Sequence, residues 1–529
     1  MASTSYDIAI IGSGIGSLAC ASFLSHIYDK KVLVIEQHVQ PGGLSQSFHN
    51  QDNVPFEIGI HQVGELEPTT MFSKLMTLMT QGNSEWDRLP EAFIKFHFPD
   101  GIYTVHAGQE KQIEVLTKHF PLEQQAIEDY YQDVAKITQW YRNYTLSSLD
   151  NNKTQRQEFL DSEVGKMAML TTEDYLEQRF KDPKLISFIG SHWTDYGLPP
   201  ETSAFLKHAL LVNNHKEGVY YPSKGSTQMI DSIVDGIQSK GGQVLCNTRV
   251  VGVNHDEQNV QSLQVLNKGT GEQSLVYADQ FVSGIGAYNT YARLLDEGIS
   301  APYLESLKSL KKHGVSFVKL FATLQDNPEK IGADKSLSWV YDSHDHNALY
   351  RDKNKLANGE ISQYSISFPS LKKEVDAKHS MKINALIDYS VFESWGNANR
   401  TDEAYNELKQ RIGNTLLNDV ERLYPGLREL VSTWDVLTPI STKIIAGQFK
   451  GNIFGLPDTP ERFKNLDFNC YTPLDNFYLT GSDITTSGIY AAVLSGVLTT
   501  QAICKDKQFF LKVITAAKRL TQNKESIAV

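Results

Sequence analysis

An α/β fold built on a parallel, nucleotide-binding type of sheet is what this sequence predicts, and three observations predict it. The apolar, β-branched run Tyr6 to Ile11 leads at once into a glycine-rich turn, a small-residue helix from Ser17 to His26, and a second apolar run at Lys31 to Ile35. The alternation returns far downstream, with a helix at Thr227 to Ser239, Gly241-Gly242 and a strand at Gln243 to Val253. It returns again near the end, where strand Phe477 to Thr480 precedes a glycine turn and a small-residue helix from Ile489 to Ala502. A sheet drawn from segments so far apart must be interrupted by other structure.

The first unit carries the most chemistry. Gly12-Ser13-Gly14-Ile15-Gly16-Ser17 sits between a predicted strand and a predicted helix, the context in which a glycine pattern acquires meaning. Gly12 permits a tight turn, Gly14 lets the backbone approach a pyrophosphate, and the helix N-terminus offers unpaired N–H groups. Ser17, after Gly16, is small enough for close packing of helix on strand. Glu36 ends the second strand, where a carboxylate accepts hydrogen bonds from ribose hydroxyls and repels a 2′-phosphate. Together these describe a Rossmann-type unit holding an unphosphorylated adenosine. The alternative is a plain glycine turn beside a surface acid.

The insertions follow from the gaps. Residues 71–224 are aromatic-rich and predominantly helical in pattern, with Leu116, Tyr130, Trp140, Tyr175 and Phe188 at apolar positions. Residues 291–468 mix strands such as Val315 to Leu324 with a charged helix at Thr401 to Arg422. We read both as parts of one α+β substrate domain inserted into a discontinuous Rossmann-type domain made of 1–70, 225–290 and 469–504. A tail, 505–529, completes the chain. At 529 residues more than one core is expected.

Three further segments resemble those of FAD-binding families. Pro41-Gly42-Gly43-Leu44-Ser45 is similar to the stretch that lies along the diphosphate and ribityl chain, and Val250 corresponds to a position facing the adenine. Leu479-Thr480-Gly481-Ser482-Asp483 is similar to a closing motif whose Asp binds a ribityl hydroxyl. The backbone at Gly488 and Ile489 would then face the flavin N1–C2=O edge, where a helix N-terminus favours the charge of a reduced ring. The resemblance implies FAD as cofactor.

It narrows with Phe56-Glu57-Ile58-Gly59-Ile60-His61-Gln62-Val63-Gly64, with Trp193-Thr194-Asp195-Tyr196-Gly197-Leu198-Pro199-Pro200, with Tyr220-Tyr221-Pro222, and with Gly481 through Gly488. These resemble the retinol saturase family, grouped with carotenoid isomerases and phytoene desaturases. The resemblance implies a flavin acting on carbon-carbon double bonds of a polyene, isoprenoid or other unsaturated lipid, in an amine oxidase-like and desaturase-like two-domain plan. Two positions depart from it. Leu44 stands where many relatives carry Arg, and the turn before the last helix lacks the Pro-Gly-rich form of desaturases. Desaturation, amine oxidation and a non-enzymatic prenyl carrier of the same fold are the competing readings.

Saturating a double bond needs a hydride and a proton, so an acid is sought near the flavin. His61 is the first candidate and Asp195 with Tyr196 the second. Their alternatives are a packed His, a turn-capping Asp and a core Tyr. The aromatics of 71–224 would line an apolar tunnel or form ordinary core. His344 and His346 alternate as metal ligands do, but no third ligand is near in sequence, so no metal is expected and solvent-facing positions are.

The remaining properties exclude partners. A net charge of −12 argues against nucleic acid. Four scattered cysteines suggest a reducing compartment such as the cytoplasm. Neither a signal peptide nor a membrane-spanning run is expected. In the tail, Phe509, Phe510, Val513, Ile514, Ala517 and Leu520 recur at helical spacing, and 505–529 hold six basic against two acidic residues. That helix either docks on the protein's own core or lies on an anionic membrane surface.

Overall fold

The computed structural model describes residues 6–310, 314–373, 378–396 and 401–527, with side chains described to residue 522. Tyr6–Ile11 and Val32–Ile35 pair in parallel and lie beside Ala278–Ser283, Phe477–Leu479 and Gln243–Leu245 in one five-stranded parallel sheet. The order is Phe477–Leu479, Ala278–Ser283, Tyr6–Ile11, Val32–Ile35, Gln243–Leu245. Helix Ile15–Tyr28 connects the first two strands, and its residues from Ile15 to Ser25 are buried because other helices cover the face turned away from the sheet. Strand order reverses at Tyr6–Ile11, so the turn that follows it, at Gly12, opens on the crevice where such folds bind ligands.

The expected strand Gln243 to Val253 is two strands. Gln243–Leu245 ends the parallel sheet, and after Asn247, at φ +54°, Thr248–His255 starts a three-stranded antiparallel layer with Val260–Asn267 and Gln273–Val276.

A second sheet has seven strands in the order Val431–Leu437, Phe317–Leu324, His379–Leu386, Gln363–Ser367, Leu337–Tyr341, Ala92–Phe98, Gly101–His106. Leu337–Tyr341 and Ala92–Phe98 run parallel, and the other pairs are antiparallel. Ala92–Phe98 and Gly101–His106 come from the stretch read as helical. Ala92–Phe98 alternates buried and half-exposed positions from Ile94 onward, the period-two pattern of a strand, but Gly101–His106 has a single buried position, Val105, and both are overshadowed in sequence by the helices after them. One face carries a closed core of Val318, Leu320, Ile383 and Ile412 under helix Glu403–Leu423. The other face carries Lys319, Phe321 and Lys382 and packs against residues 48–60.

The aromatics of the helical stretch are core. Tyr175 stacks on Phe205 with ring centres 3.4 Å apart, Trp140 stacks on Tyr144 at 5.1 Å, and Tyr130, Tyr175 and Phe188 are buried. The cavity bounded by Tyr130, Tyr131, Leu116 and His192 holds about 30 Å³, room for a water and far too little for an isoprenoid chain.

The tail forms helix Phe509–Ile527 and docks on the protein. Phe509, Val513 and Ala517 are buried, and Phe509 meets Phe23 edge-on at 5.5 Å beside helix Met71–Met79. The apolar face that a bilayer would take is therefore covered by the chain itself, while Lys512, Lys518 and Arg519 remain outside. None of the described helices is long and apolar enough to cross a membrane.

Candidate functional site

Gly12 turns the chain at φ +87°, and a Cβ there would come within 2.9 Å of the Ile285 side chain. Gly14 starts the helix with open space where its Cβ would be. Gly42 and Gly43, at φ +115° and +57°, fold back on this turn, and a Cβ on Gly43 would stand 3.1 Å from Gly14 Cα. The Gly42 N–H donates to Ser13 Oγ at 3.1 Å. Leu44 and Ser45 complete a single helical turn, and the Leu44 carbonyl presses against Gly59.

Gly16 and Ser17 do something else. A Cβ on Gly16 would meet Ser495, Ala492 and Gly481 at 2.9 to 3.0 Å, so this glycine lets helix Ile489–Cys504 lie against helix Ile15–Tyr28. Ser17 is buried against Gly284. Both act through packing, away from the open side of the turn.

Glu36 is 8% exposed and already engaged. Its Oε2 accepts from Ser13 N–H at 2.9 Å and Ser13 Oγ at 2.5 Å, and its Oε1 accepts from His38 N–H at 2.7 Å. Each carboxylate oxygen takes about two hydrogen bonds, which leaves Oε1 with room for one ribose hydroxyl. Val250, half-buried, lies two residues beyond Thr248, whose N–H donates to the Glu36 carbonyl at 2.9 Å.

The closing motif meets this turn from the other side. Gly481 sits at φ +105° and Gly488 at φ +106°, and a Cβ on Gly481 would meet nothing within 4 Å. Gly488 is exposed and caps helix Ile489–Cys504. Asp483 is buried, and its carboxylate accepts from Ala287 N–H at 2.7 Å and Leu456 N–H at 2.8 Å. It ties two backbone segments together and keeps acceptor capacity beyond them.

Three residues that sequence reasoning missed brace that loop. Arg462 Nη2 donates to the carbonyls of Ser482 at 2.6 Å and Thr485 at 3.0 Å, and Nη1 donates to Asp458. Asp458 Oδ2 accepts from Ser487 Oγ at 2.7 Å. Lys207 Nζ donates to the Ser487 carbonyl at 2.6 Å, and burial lowers the lysine's pKa.

Across the groove, hairpin Ser47–His49 and Pro55–Glu57 packs Phe48 and Phe56 on Phe321 of the seven-stranded sheet. In the loop that follows, Gly59 is exposed and His61 and Gln62 are half-buried. Behind them stands a cluster with no precedent in the sequence reading. Lys319 donates to the Ile58 carbonyl at 2.8 Å, Lys382 to the Glu57 and Ile60 carbonyls at 3.0 and 3.3 Å, and Lys372 to the His61 carbonyl at 3.3 Å. Lys373 pairs with Glu57 at 3.1 Å. Burial and the neighbouring Lys382 push Lys319 and Lys372 down to about 7, and burial brings Lys382 to about 8 against the pull of Glu57. Burial and these three lysines hold His61 well below the usual histidine range. Its Nδ1 and both amide atoms of Gln62 are buried without partners among the described residues.

Asp195 and Tyr196 lie elsewhere, in the helical part of the second domain. Asp195 accepts from Trp339 Nε1 at 3.1 Å and faces His192 Nδ1 at 3.4 Å. Tyr196 is fully buried, which raises its hydroxyl above the usual phenol range. No hydrogen bond among the described residues joins either to His61. His346, expected at the surface, is buried, with Nδ1 accepting from Trp193 Nε1 at 3.0 Å. His344 stacks on Phe98 at 4.3 Å and pairs with Asp100. No group of three metal-ligating side chains occurs among the described residues.

These residues are of the kinds that fit an FAD: Gly14 and Gly481 are open where a Cβ would stand, Glu36 ends a strand with acceptor capacity left, helix Ile15–Tyr28 begins at the turn, and His61 and Gln62 hold buried polar atoms without partners among the described residues. Comparisons with known proteins agree. The chain is 28% identical to an all-trans-retinol 13,14-reductase of Danio rerio over 97% of its own length and 88% of the relative's. It is 24% identical to a chloroplastic prolycopene isomerase of Daucus carota, over 95% and 81%. A solved putrescine oxidase variant shares the fold, with a TM-score of 0.64, 15% identity and coverage of 95% and 99%. Residues 7–455 match the family model described as FAD dependent oxidoreductase, and the chain belongs to that family of FAD-binding enzymes.

Proposed function

We propose that this oxidoreductase acts on carbon-carbon double bonds of a hydrophobic polyene or isoprenoid lipid, by reduction or by isomerisation. The observation that carries the reading is near full-length similarity to one protein named a retinol reductase and another named a prolycopene isomerase, both names of enzymes on conjugated chains. Bound FAD would supply the hydride chemistry. We place the adenosine at Glu36, the diphosphate over Gly12, Gly14, Gly42 and Gly43, the ribityl chain near Asp483, and the ring between Gly59–His61 and Gly488–Ile489.

The chain's own task in saturation is the proton. His61 fits its first-choice role poorly, because an imidazole held well below its usual pKa carries no extra proton at neutral pH. The proton-bearing groups bonded to the same loop are the lysines behind it, Lys319, Lys372 and Lys382, and burial lowers their pKa values from the ordinary lysine range toward neutrality. We assign the proton supply to them, with His61 as a neutral hydrogen-bonding group at the groove. Asp195 and Tyr196 brace the second domain in this reading.

The test is anaerobic incubation of the FAD-loaded, chemically reduced protein with retinoids, carotenoids and unsaturated fatty acids, read by product mass. A gain of two hydrogens means reduction, an unchanged mass with a new retention time means isomerisation, and a loss of two from the oxidised protein means desaturation. No product from any polyene, with a primary amine turned over instead by the oxidised protein in air, would sink the proposal.

A further inference from the structure

We propose that Lys207 sets the electron affinity of the bound flavin by holding an ammonium against the ring edge that gains negative charge on reduction. This rests on the placement, proposed above, of Gly488 and Ile489 beside the N1–C2=O edge.

The geometry makes the case. A Cβ built on exposed Gly488 would have Lys207 Nζ, 4.0 Å away, as its one neighbour, so the ammonium stands at the margin of the same open space. Lys207 comes from a different domain segment, helix Phe205–His215, and is 5% exposed. Its Nζ donates to the Ser487 carbonyl at 2.6 Å, and Ser487 is itself held by Asp458 through its N–H at 3.2 Å and its hydroxyl at 2.7 Å. The side chain is thus fixed. An ammonium has three N–H donors, and one hydrogen bond accounts for one of them.

The charges facing Lys207 are Asp458, Arg462 and Asp195. Asp458 lies 4.0 Å from the ammonium and is also bonded by Arg462, so its charge is divided between two cations. Two electrons and one proton added to an oxidised flavin leave one negative charge on the ring. A helix N-terminus alone meets that charge with a partial positive charge, whereas Lys207 adds a full one in a buried setting.

The experiment measures the flavin midpoint potential by dye equilibration in wild type, Lys207→Met, Lys207→Gln and Lys207→Arg. Met replaces the stem with similar volume, and Gln retains a donor for the Ser487 carbonyl. In both, the oxidised-to-reduced ratio at a fixed potential should rise on the order of tenfold, about 30 mV for a two-electron couple, with FAD stoichiometry retained. Lys207→Arg should stay within threefold of wild type. A Met or Gln variant that keeps the wild-type potential overturns the inference. Loss of FAD from all the variants, Arg included, would make Lys207 a bracing residue and overturn it as well. A crystal structure of the FAD-loaded wild type separates the two levels. A different ring edge at Gly488 defeats the placement, while the expected edge with an unmoved potential defeats Lys207 alone.

Discussion

Glu36→Gln offers a test in which cofactor affinity and fold stability can be read separately. The side chain keeps its shape but loses one acceptor oxygen and gains two donors. If the amide oxygen keeps the two bonds from Ser13, the amide nitrogen faces the His38 N–H, donor against donor. That leaves one partly buried N–H unpaired and weakens the remaining bonds, a cost of about 2 kcal/mol to the protein without FAD. The ribose loses a hydrogen bond to a charged acceptor, about 1.5–3 kcal/mol, which corresponds to a Kd about 10- to 150-fold weaker. The assay is fluorescence titration of the deflavinated protein with FAD, alongside urea unfolding of the same sample. A Kd within threefold of wild type would refute the adenosine placement. A weakened Kd with unchanged unfolding would show that Ser13 and His38 find other partners. Glu36→Arg removes every acceptor and should purify largely colourless.

Other perturbations follow from the same contacts. Asp483→Ala leaves the Ala287 and Leu456 N–H groups without an acceptor, at about 1–3 kcal/mol each, and flavin content should fall less than turnover because Glu36 still holds the adenosine; wild-type values of both would show the motif misassigned. Burial holds His215 and His346 down at about 4, below the 6.5 of an exposed histidine, so the unfolded chain binds more protons between those values. Stability should be complete above pH 6.5 and fall by about 1.4 kcal/mol per pH unit for each histidine as pH drops toward 4, and flat urea midpoints from pH 7 to 5 would contradict this. Phe509→Ala opens a cavity against Phe23 and should cost about 3–5 kcal/mol by denaturant unfolding; a loss under 1 kcal/mol would mean that the tail helix is not docked in solution.

The cofactor turn was legible in sequence because its requirements are local. Positive φ at Gly12, Gly42 and Gly43, a strand before them and a helix after them are properties of consecutive residues, and so is an acid at the end of the next strand. Four of the five strands of the discontinuous sheet were legible for the same reason, since each sits beside its own turn, whereas Ala278–Ser283, between Tyr6–Ile11 and Phe477–Leu479, was not read as a strand. The strands Ala92–Phe98 and Gly101–His106 were lost among stronger helical signals. Lys319 and Lys382 did leave a trace, a lysine inside the apolar runs Phe317–Leu324 and His379–Leu386, but a lysine in a strand more often faces water.

What the sequence determined by itself is therefore the FAD-binding frame and the family, through short-range backbone demands and motifs. The tertiary structure decided which side chains share an environment. Register sets Lys319 opposite Asn384 and Phe321 opposite Lys382, placing both lysines on one sheet face beneath a loop more than 250 residues earlier in the chain. It also turned the tail's apolar stripe onto helix Met71–Met79, gave Gly16 to helix packing, and brought Lys207 to Ser487. Apolar periodicity is the same whether the stripe meets protein or lipid, and burial that moves a lysine or histidine pKa is the sum of everything packed around it. Neither is encoded in neighbouring residues, so neither could be read before the chain was folded.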